Sequence, residues 1–465
     1  MTATAAARST LVTSLLRYSR SWGLGLLLLA GPVGARFMVA RDDGSGVQIT
    51  VGHHLPVMTS AMLGVSLGIV VSTLLLPIGF LYLRSNVTRR QPWQIEEVTA
   101  ASRMAIALGR FGADVAILFA MLASLIVAGW FLGWLIVSGP FDIGQISWTL
   151  WLVAAPALIG LAAIHRLLDA RPLLRRGAGD ALFFCLWLAS LAVPALVADR
   201  ASSFSSNLTD FAGYVRPLMG PTPLKGQDFT IGNAGRVAPG RVPLDVMAGV
   251  HAPGYIPSRI AWVGIAVMIA IFAGLLYRPH RAAQRRRRRM MEAVDRWLAP
   301  KALPMIDADA PPAGFVAAPF FGLVVGEFRL IGAGRLFKLL AIIAVCAGLV
   351  ADYRHIGSPA ALLLLVFGLV AHAGRSEAKG LLSLTHTALL GPWMRRIAFV
   401  AAGTGWALLL ALPAALVRIS PEPLLFTGAA GAAAALVAIG LATMSHSAFA
   451  PRLVLLVLWY AYLSS

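Results

Sequence analysis

An all-α polytopic membrane bundle is the fold class this sequence predicts, and three observations predict it. Apolar residues make up 58% of the 465-residue chain and charged residues only 13%, with a mean hydropathy of +0.78. That balance is more apolar than a soluble domain can carry. Apolar runs recur along the chain at the length a bilayer demands, about 20 helical residues for a core about 30 Å thick. Arginines cluster in the second and fourth connections while the third, 139–146, has none, and retained positive charge of this kind orients successive spans.

The runs give candidate spans near 22–40, 56–83, 112–138, 147–164, 181–198 and 259–277, and then near 336–350, 360–372, 397–417, 424–443 and 452–464. This makes about 11 transmembrane helices. Gly357 and Pro359 separate two short runs and leave a re-entrant hairpin open as an alternative to the two spans preferred here. Arg84, Arg89, Arg90, Arg103 and Arg110 lie in the second connection and Arg166, Arg171, Arg175 and Arg176 in the fourth, whereas 139–146 has no Arg or Lys. The amino terminus, with Arg8, Arg17 and Arg20, is therefore placed in the cytoplasm, and eleven crossings put the termini on opposite sides. The first apolar run is followed by many others and lacks a small-residue cleavage site, so it is read as a span and not as a signal peptide. Leu11, Leu15 and Tyr18 share one face of a short helix ahead of it, expected to lie on the inner leaflet.

The net charge of +19 would suggest a nucleic-acid partner in a soluble protein, but here cytoplasmic retention of Arg accounts for it and no nucleic acid is expected. Arg285 and the four arginines after it follow a span directly, the position of an anionic-lipid anchor. Cys185 and Cys346 lie inside apolar runs, which excludes a disulfide framework or a thiolate metal site, and no cofactor is expected. The loop 199–258 holds seven prolines, among them Pro217, Pro221 and Pro253, and reads as a compact irregular cap outside the membrane.

Three regions follow. Residues 1–278 form a first transmembrane half, 279–314 a basic, proline-rich cytoplasmic linker ending in DADAPPAG, and 315–465 a second half. The second half opens as the first does: a short apolar segment with Phe320, Phe321, Val324, Val325 and Phe328, two spans, then a polar segment. That order reads as an internal repeat with six spans in one half and five in the other.

The polar segments are the candidate functional elements. In 89–110, RRQPWQIEEVTAASRMAIALGR, Ile95, Val98 and Ala101 give one apolar stripe, with Glu96, Glu97, Thr99 and Arg103 on the other faces. Its counterpart, 374–396, GRSEAKGLLSLTHTALLGPWMRR, carries Glu377 and Lys379 early and Arg395 and Arg396 before the next span. The first segment, followed by its long apolar helix, resembles the cytoplasmic connection of ABC transporter permeases of the second, exporter-like type. The acidic Glu377 and the Gly391-Pro392 exit toward Arg395 and Arg396 are similar to the same family's motif. The resemblance implies the transmembrane subunit of an exporter in a bacterial inner membrane, lying among its lipids and docking a separate ABC ATPase subunit, in two copies. Its ATPase-coupling residues would be Gln94, Glu96, Glu97, Arg103, Glu377, Arg395 and Arg396.

The chain contains no G-x-x-x-x-G-K-[ST] phosphate loop, so any ATP is expected in the partner. Glu96 and Glu97 point about 100° apart on a helix and form no facing carboxylate pair, so the chain is not expected to be an enzyme. Asp114 starts a span one turn after Arg110 and is read as half of an interfacial i,i+4 pair, since a single acid makes a poor proton relay. His165, His372 and His446 lie near span ends without helical pairing, and His53 and His54 beside Asp42 and Asp43 make a poor metal site. The aliphatic interior favours a lipid-like or amphipathic cargo of unknown identity. The alternative reading is a carrier not coupled to ATP, or a scaffold subunit of a larger membrane complex.

Overall fold

The computed structural model describes residues 2–39, 48–52, 54–88, 102–171, 174, 177–193, 200–221, 229–232, 240–276, 319–333, 335–350, 352–374, 391–445 and 449–463. These belong to two compact units, Met1–Ala283 and Gln284–Ser465. Among the described residues six helices are long and apolar enough to cross a bilayer: Ser60–Ser85, Arg103–Ile136, Ile143–Ala170, Tyr255–Leu276, Pro392–Arg418 and Glu422–Ser445. Five shorter apolar helices, Trp22–Arg36, Leu182–Ala192, Phe337–Val350, Ser358–His372 and Phe449–Trp459, lie where the remaining runs stand in the sequence. Large apolar side chains such as Trp134, Leu135, Phe131 and Met268 stand exposed along these helices, which suits an all-α bundle facing lipid and not water.

The first unit begins with α1 (Ala3–Ser19), capped by the Thr2 hydroxyl, and α2 (Trp22–Met38). The α1 stripe turned inward is Ala6, Thr10, Ser14 and Tyr18, all buried, while Leu11 and Leu15 flank it half-buried and Leu16 faces out. The reason is packing: α1 lies along α5 (Arg103–Ile136), where a Cβ on Gly109 would strike the Ala7 carbonyl and the Thr10 side chain. The expected interfacial helix is thus a helix keyed to protein by its small and polar face.

The next span is interrupted. α3 (Ser60–Val70) passes through a π-helical turn, Val71–Leu75, into α4 (Leu76–Thr88). It is buried on nearly every side, and a Cβ on Gly64 would overlap Thr149 of α6 (Ile143–Ala170). In the π turn Leu76 N–H bonds the Val71 carbonyl, five residues back, so the next donor in that register for Ser72 would be Pro77, which has no N–H. The Trp187 indole of α7 (Gly177–Ala192) donates to that Ser72 carbonyl at 2.8 Å.

A cap follows, with α8 (Phe204–Thr209), α9 (Val215–Met219) and α10 (Val246–Val250), ahead of α11 (Tyr255–Leu276). It is more regular than its proline content predicts. β1 (Gln48–Val51) pairs antiparallel with β3 (Phe229–Gly232), Gln48 opposite Gly232, and β2 (Leu55–Pro56) pairs in parallel with β4 (Arg241–Val242). Extended loop strands satisfy their backbone groups this way. Arg259, fully buried, donates to the carbonyls of Asn207 at 2.8 Å, Phe211 at 3.2 Å and Asp210. Arg216 Nε donates to Asn207 Oδ1 at 3.0 Å, and Tyr255 donates its hydroxyl to the Gly213 carbonyl at 2.6 Å.

The second unit holds α12 (Pro319–Ile331), α13 (Arg335–Val350), a π turn at Tyr353–Gly357, α14 (Ser358–His372), α15 (Pro392–Arg418), α16 (Glu422–Ser445) and α17 (Phe449–Leu463). Its core gathers Leu365, Leu369, Ala402, Trp406, Ala435 and Ala438. Small residues bring α15 and α16 together, since a Cβ on Gly431 would overlap Ala407. Within each unit the same pairings occur. α1 and α2 pack on α5, α5 on α6, and α3 on α6; α12 and α13 pack on α15, α15 on α16, and α14 on α16.

Candidate functional site

The expected coupling residues Gln94, Glu96, Glu97 and Glu377 lie outside the described residues. Of the others, Arg103 is the exposed first residue of α5, and Arg395 and Arg396 lie in the first turns of α15. Each therefore sits at the start of the helix that directly follows its polar segment.

What the structure adds is how those two helices are held. Asp114 lies on α5, 11 residues beyond Arg103 and so about 17 Å along the axis at 1.5 Å per residue. It is fully buried, and both its oxygens are taken by groups from other elements. Tyr18 of α1 donates its hydroxyl to Oδ1 at 2.6 Å. On Oδ2 converge Arg166 Nε at 2.7 Å and His165 Nδ1 at 2.8 Å, both from α6. His165 Nδ1 also lies 3.0 Å from the Arg166 guanidinium, so the imidazole, the guanidinium and the carboxylate meet at one point. Arg166 also lies 3.8 Å from Asp169, a turn along α6. Around this cluster the Tyr82 ring of α4 approaches Tyr18 at 5.9 Å, and Phe80 stands edge-on to His165 while stacking on Phe183 of α7 at 3.7 Å.

The expectation of a lone acid balanced by Arg110 thus gives way to a shared carboxylate. Helix α6 continues past the apolar run to Ala170, which brings His165, Arg166 and Asp169 inside the fold instead of into a cytoplasmic loop. Arg84, Arg110 and Arg166, counted as loop charges, are all buried. Arg84 Nε pairs with Asp180 at 2.8 Å and its Nη2 donates to the Leu174 carbonyl, joining α4 to the start of α7. The signal that could have found the cluster was in the sequence: four ionisable residues within two apolar helices call for partners, because an uncompensated charge there is costly.

In the second unit the corresponding tie is an ion pair. Glu327 of α12, nearly buried, accepts from Arg395 Nε of α15 at 3.1 Å. Next to it Phe328 stacks on Trp406 at 4.6 Å, and the Trp406 indole donates to the Phe328 carbonyl at 2.8 Å. Arg395, expected to meet a partner subunit, spends its Nε within the chain while its side chain stays 41% exposed.

Chemically, the Asp114 cluster is a joint. Its carboxylate has no oxygen left without a protein donor, and a single residue ties α1, α5 and α6 together. Comparison with protein-family models, with curated proteins and with solved structures finds no match for this chain.

Proposed function

We propose that this chain is the transmembrane permease subunit of an ATP-driven exporter of the second ABC type, with ATP bound by a separate subunit. One observation supports the reading above others. In each unit a short leading helix is pinned by a polar side chain to the helix that begins where a cytoplasmic polar segment ends, Tyr18 to Asp114 in one and Arg395 to Glu327 in the other. A push on segment 89–101 or 375–390 would then move α5 with α1 and α6, or α15 with α12, as packed bodies. The recurrence of the same helix pairings in both units supports a duplicated plan of about 11 spans, in which one chain offers two docking segments. ATP binding by two partner copies would favour the membrane conformation that fits the closed pair.

The test is copurification. A tagged chain extracted in gentle detergent with ATP present should retain an ATPase carrying a phosphate loop. A chain that never does so, with the helical content intact, leaves the uncoupled carrier or scaffold subunit as the reading.

A further inference from the structure

An open apolar groove between α2 and α5 offers a defined site outside the joint described above. Its origin lies in Pro32. The Leu28 carbonyl would bond the N–H of residue 32, but proline has none, and the Ser124 hydroxyl of α5 donates to that carbonyl instead, at 2.8 Å. Here the helices touch: a Cβ on Gly31 would come within 2.8 Å of Ser124 Oγ. Beyond this point they enclose a groove of about 550 Å³, bounded by Pro32 and Ala35 on α2 and by Val127, Ala128, Phe131 and Leu135 on α5. Along α5 the lining runs from Ser124 to Leu135, about 17 Å at 1.5 Å per residue. Its single charged lining residue is Arg36, in the last turn of α2, at the end remote from the arginine-rich segments.

We propose that this groove binds one anionic phospholipid, with an acyl chain along Val127 to Leu135 and the headgroup phosphate against Arg36. Three observations choose the occupant. The walls are apolar over a length that suits a hydrocarbon chain. Arg36 gives the groove one cation for a phosphate, and its lining residues include no carboxylate to repel one. Trp134, largely exposed beside Leu135, marks the far end of the groove as a level where amphipathic aromatic rings meet headgroups. The proposal is independent of whether the chain docks an ATPase.

The experiment uses the full chain in nanodiscs containing phosphatidylglycerol with a photoactivatable acyl chain, with adducts mapped by peptide mass spectrometry. Adducts are expected within 124–135, and Ala128→Trp, which fills the groove, should reduce them severalfold. Arg36→Gln should cut the preference for phosphatidylglycerol over phosphatidylcholine of the same chains by about fivefold, the weight of one basic residue at an anionic surface. Adducts that are insensitive to Ala128→Trp, or equal labelling by the two lipids in the unaltered protein, would overturn the proposal. Ala128→Leu, a milder filling, should give an intermediate loss and guards against a variant that fails to fold.

Discussion

The Trp187 indole stands 2.8 Å from the main-chain carbonyl of Ser72, at a π turn whose register directs that carbonyl to Pro77. A proline that removes a donor and a neighbouring helix that returns one are here a single device. Leu28, Pro32 and Ser124 repeat it between α2 and α5. In the second unit Trp459 of α17 donates to the Pro359 carbonyl at 2.8 Å, just after the other π turn. In both units, then, a tryptophan of a short apolar helix holds the span that carries or follows a π turn.

Trp187→Phe replaces the indole by a smaller aromatic ring without the N–H donor, leaving the Ser72 carbonyl without it. The expected loss is about 1–3 kcal/mol, the cost of an unsatisfied buried polar group. Pro77→Ala restores a backbone N–H, so in that background the loss should shrink. Thermal unfolding followed by size exclusion would measure the cycle. Equal losses in both backgrounds would show that the indole acts by packing alone.

The Asp114 joint predicts a graded series. Tyr18→Phe removes one hydrogen bond to a charged group and should cost about 1.5–3 kcal/mol. It should also make 3–19 more susceptible to proteolysis. Asp114→Asn leaves the Arg166 guanidinium buried beside a neutral group and should cost about 3–5 kcal/mol. If Tyr18→Phe left protease sensitivity of α1 unchanged, the joint would not be what holds that helix.

Much of the helical plan is legible in the sequence because long apolar runs report burial or lipid contact directly. Each expected span coincides with an apolar helix among the described residues, six long and five short. That the charges of α5 and α6 need partners is legible too, but which residues meet is not, for a physical reason. Tyr18 lies 96 residues from Asp114 and His165 lies 51 residues from it, so only tertiary packing brings them together. Charge counting misled in the same place, since an arginine such as Arg166 at a helix end looks identical in sequence whether it faces headgroups or a buried carboxylate. The β pairing of the cap was hidden likewise, because β1 and β3 are far apart in the chain and each is only four residues long.

Glu327 and Arg395 separate stability from coupling. With Arg395 41% exposed, solvent screens the pair, and Glu327→Gln should cost no more than about 0.2–1 kcal/mol. Under the permease reading the same variant should lower ATPase stimulation in the assembled complex, and the charge swap Glu327→Arg with Arg395→Glu should restore part of it. Unchanged stimulation in Glu327→Gln would remove α12 from the coupling route.

The cap should respond to pH through Asp210. Its carboxylate accepts the Gly213 N–H at 2.7 Å and the Val215 N–H at 2.9 Å at the start of α9, yet burial pushes it above the usual carboxylate range, with Arg259 and these two donors pulling against that rise. A carboxyl whose value is raised on folding favours the folded state most when protonated. Its contribution is therefore full below the ordinary carboxylate range and is lost as pH rises through the raised value, after which it is level. Hydrogen exchange across 207–216 should accordingly show less opening at the acidic end of that window. Asp210→Asn should be weaker at every pH, because its amide can accept only one of the two N–H groups well, and it should lose this slope. A slope of the same size in Asp210→Asn would assign the pH response to another group.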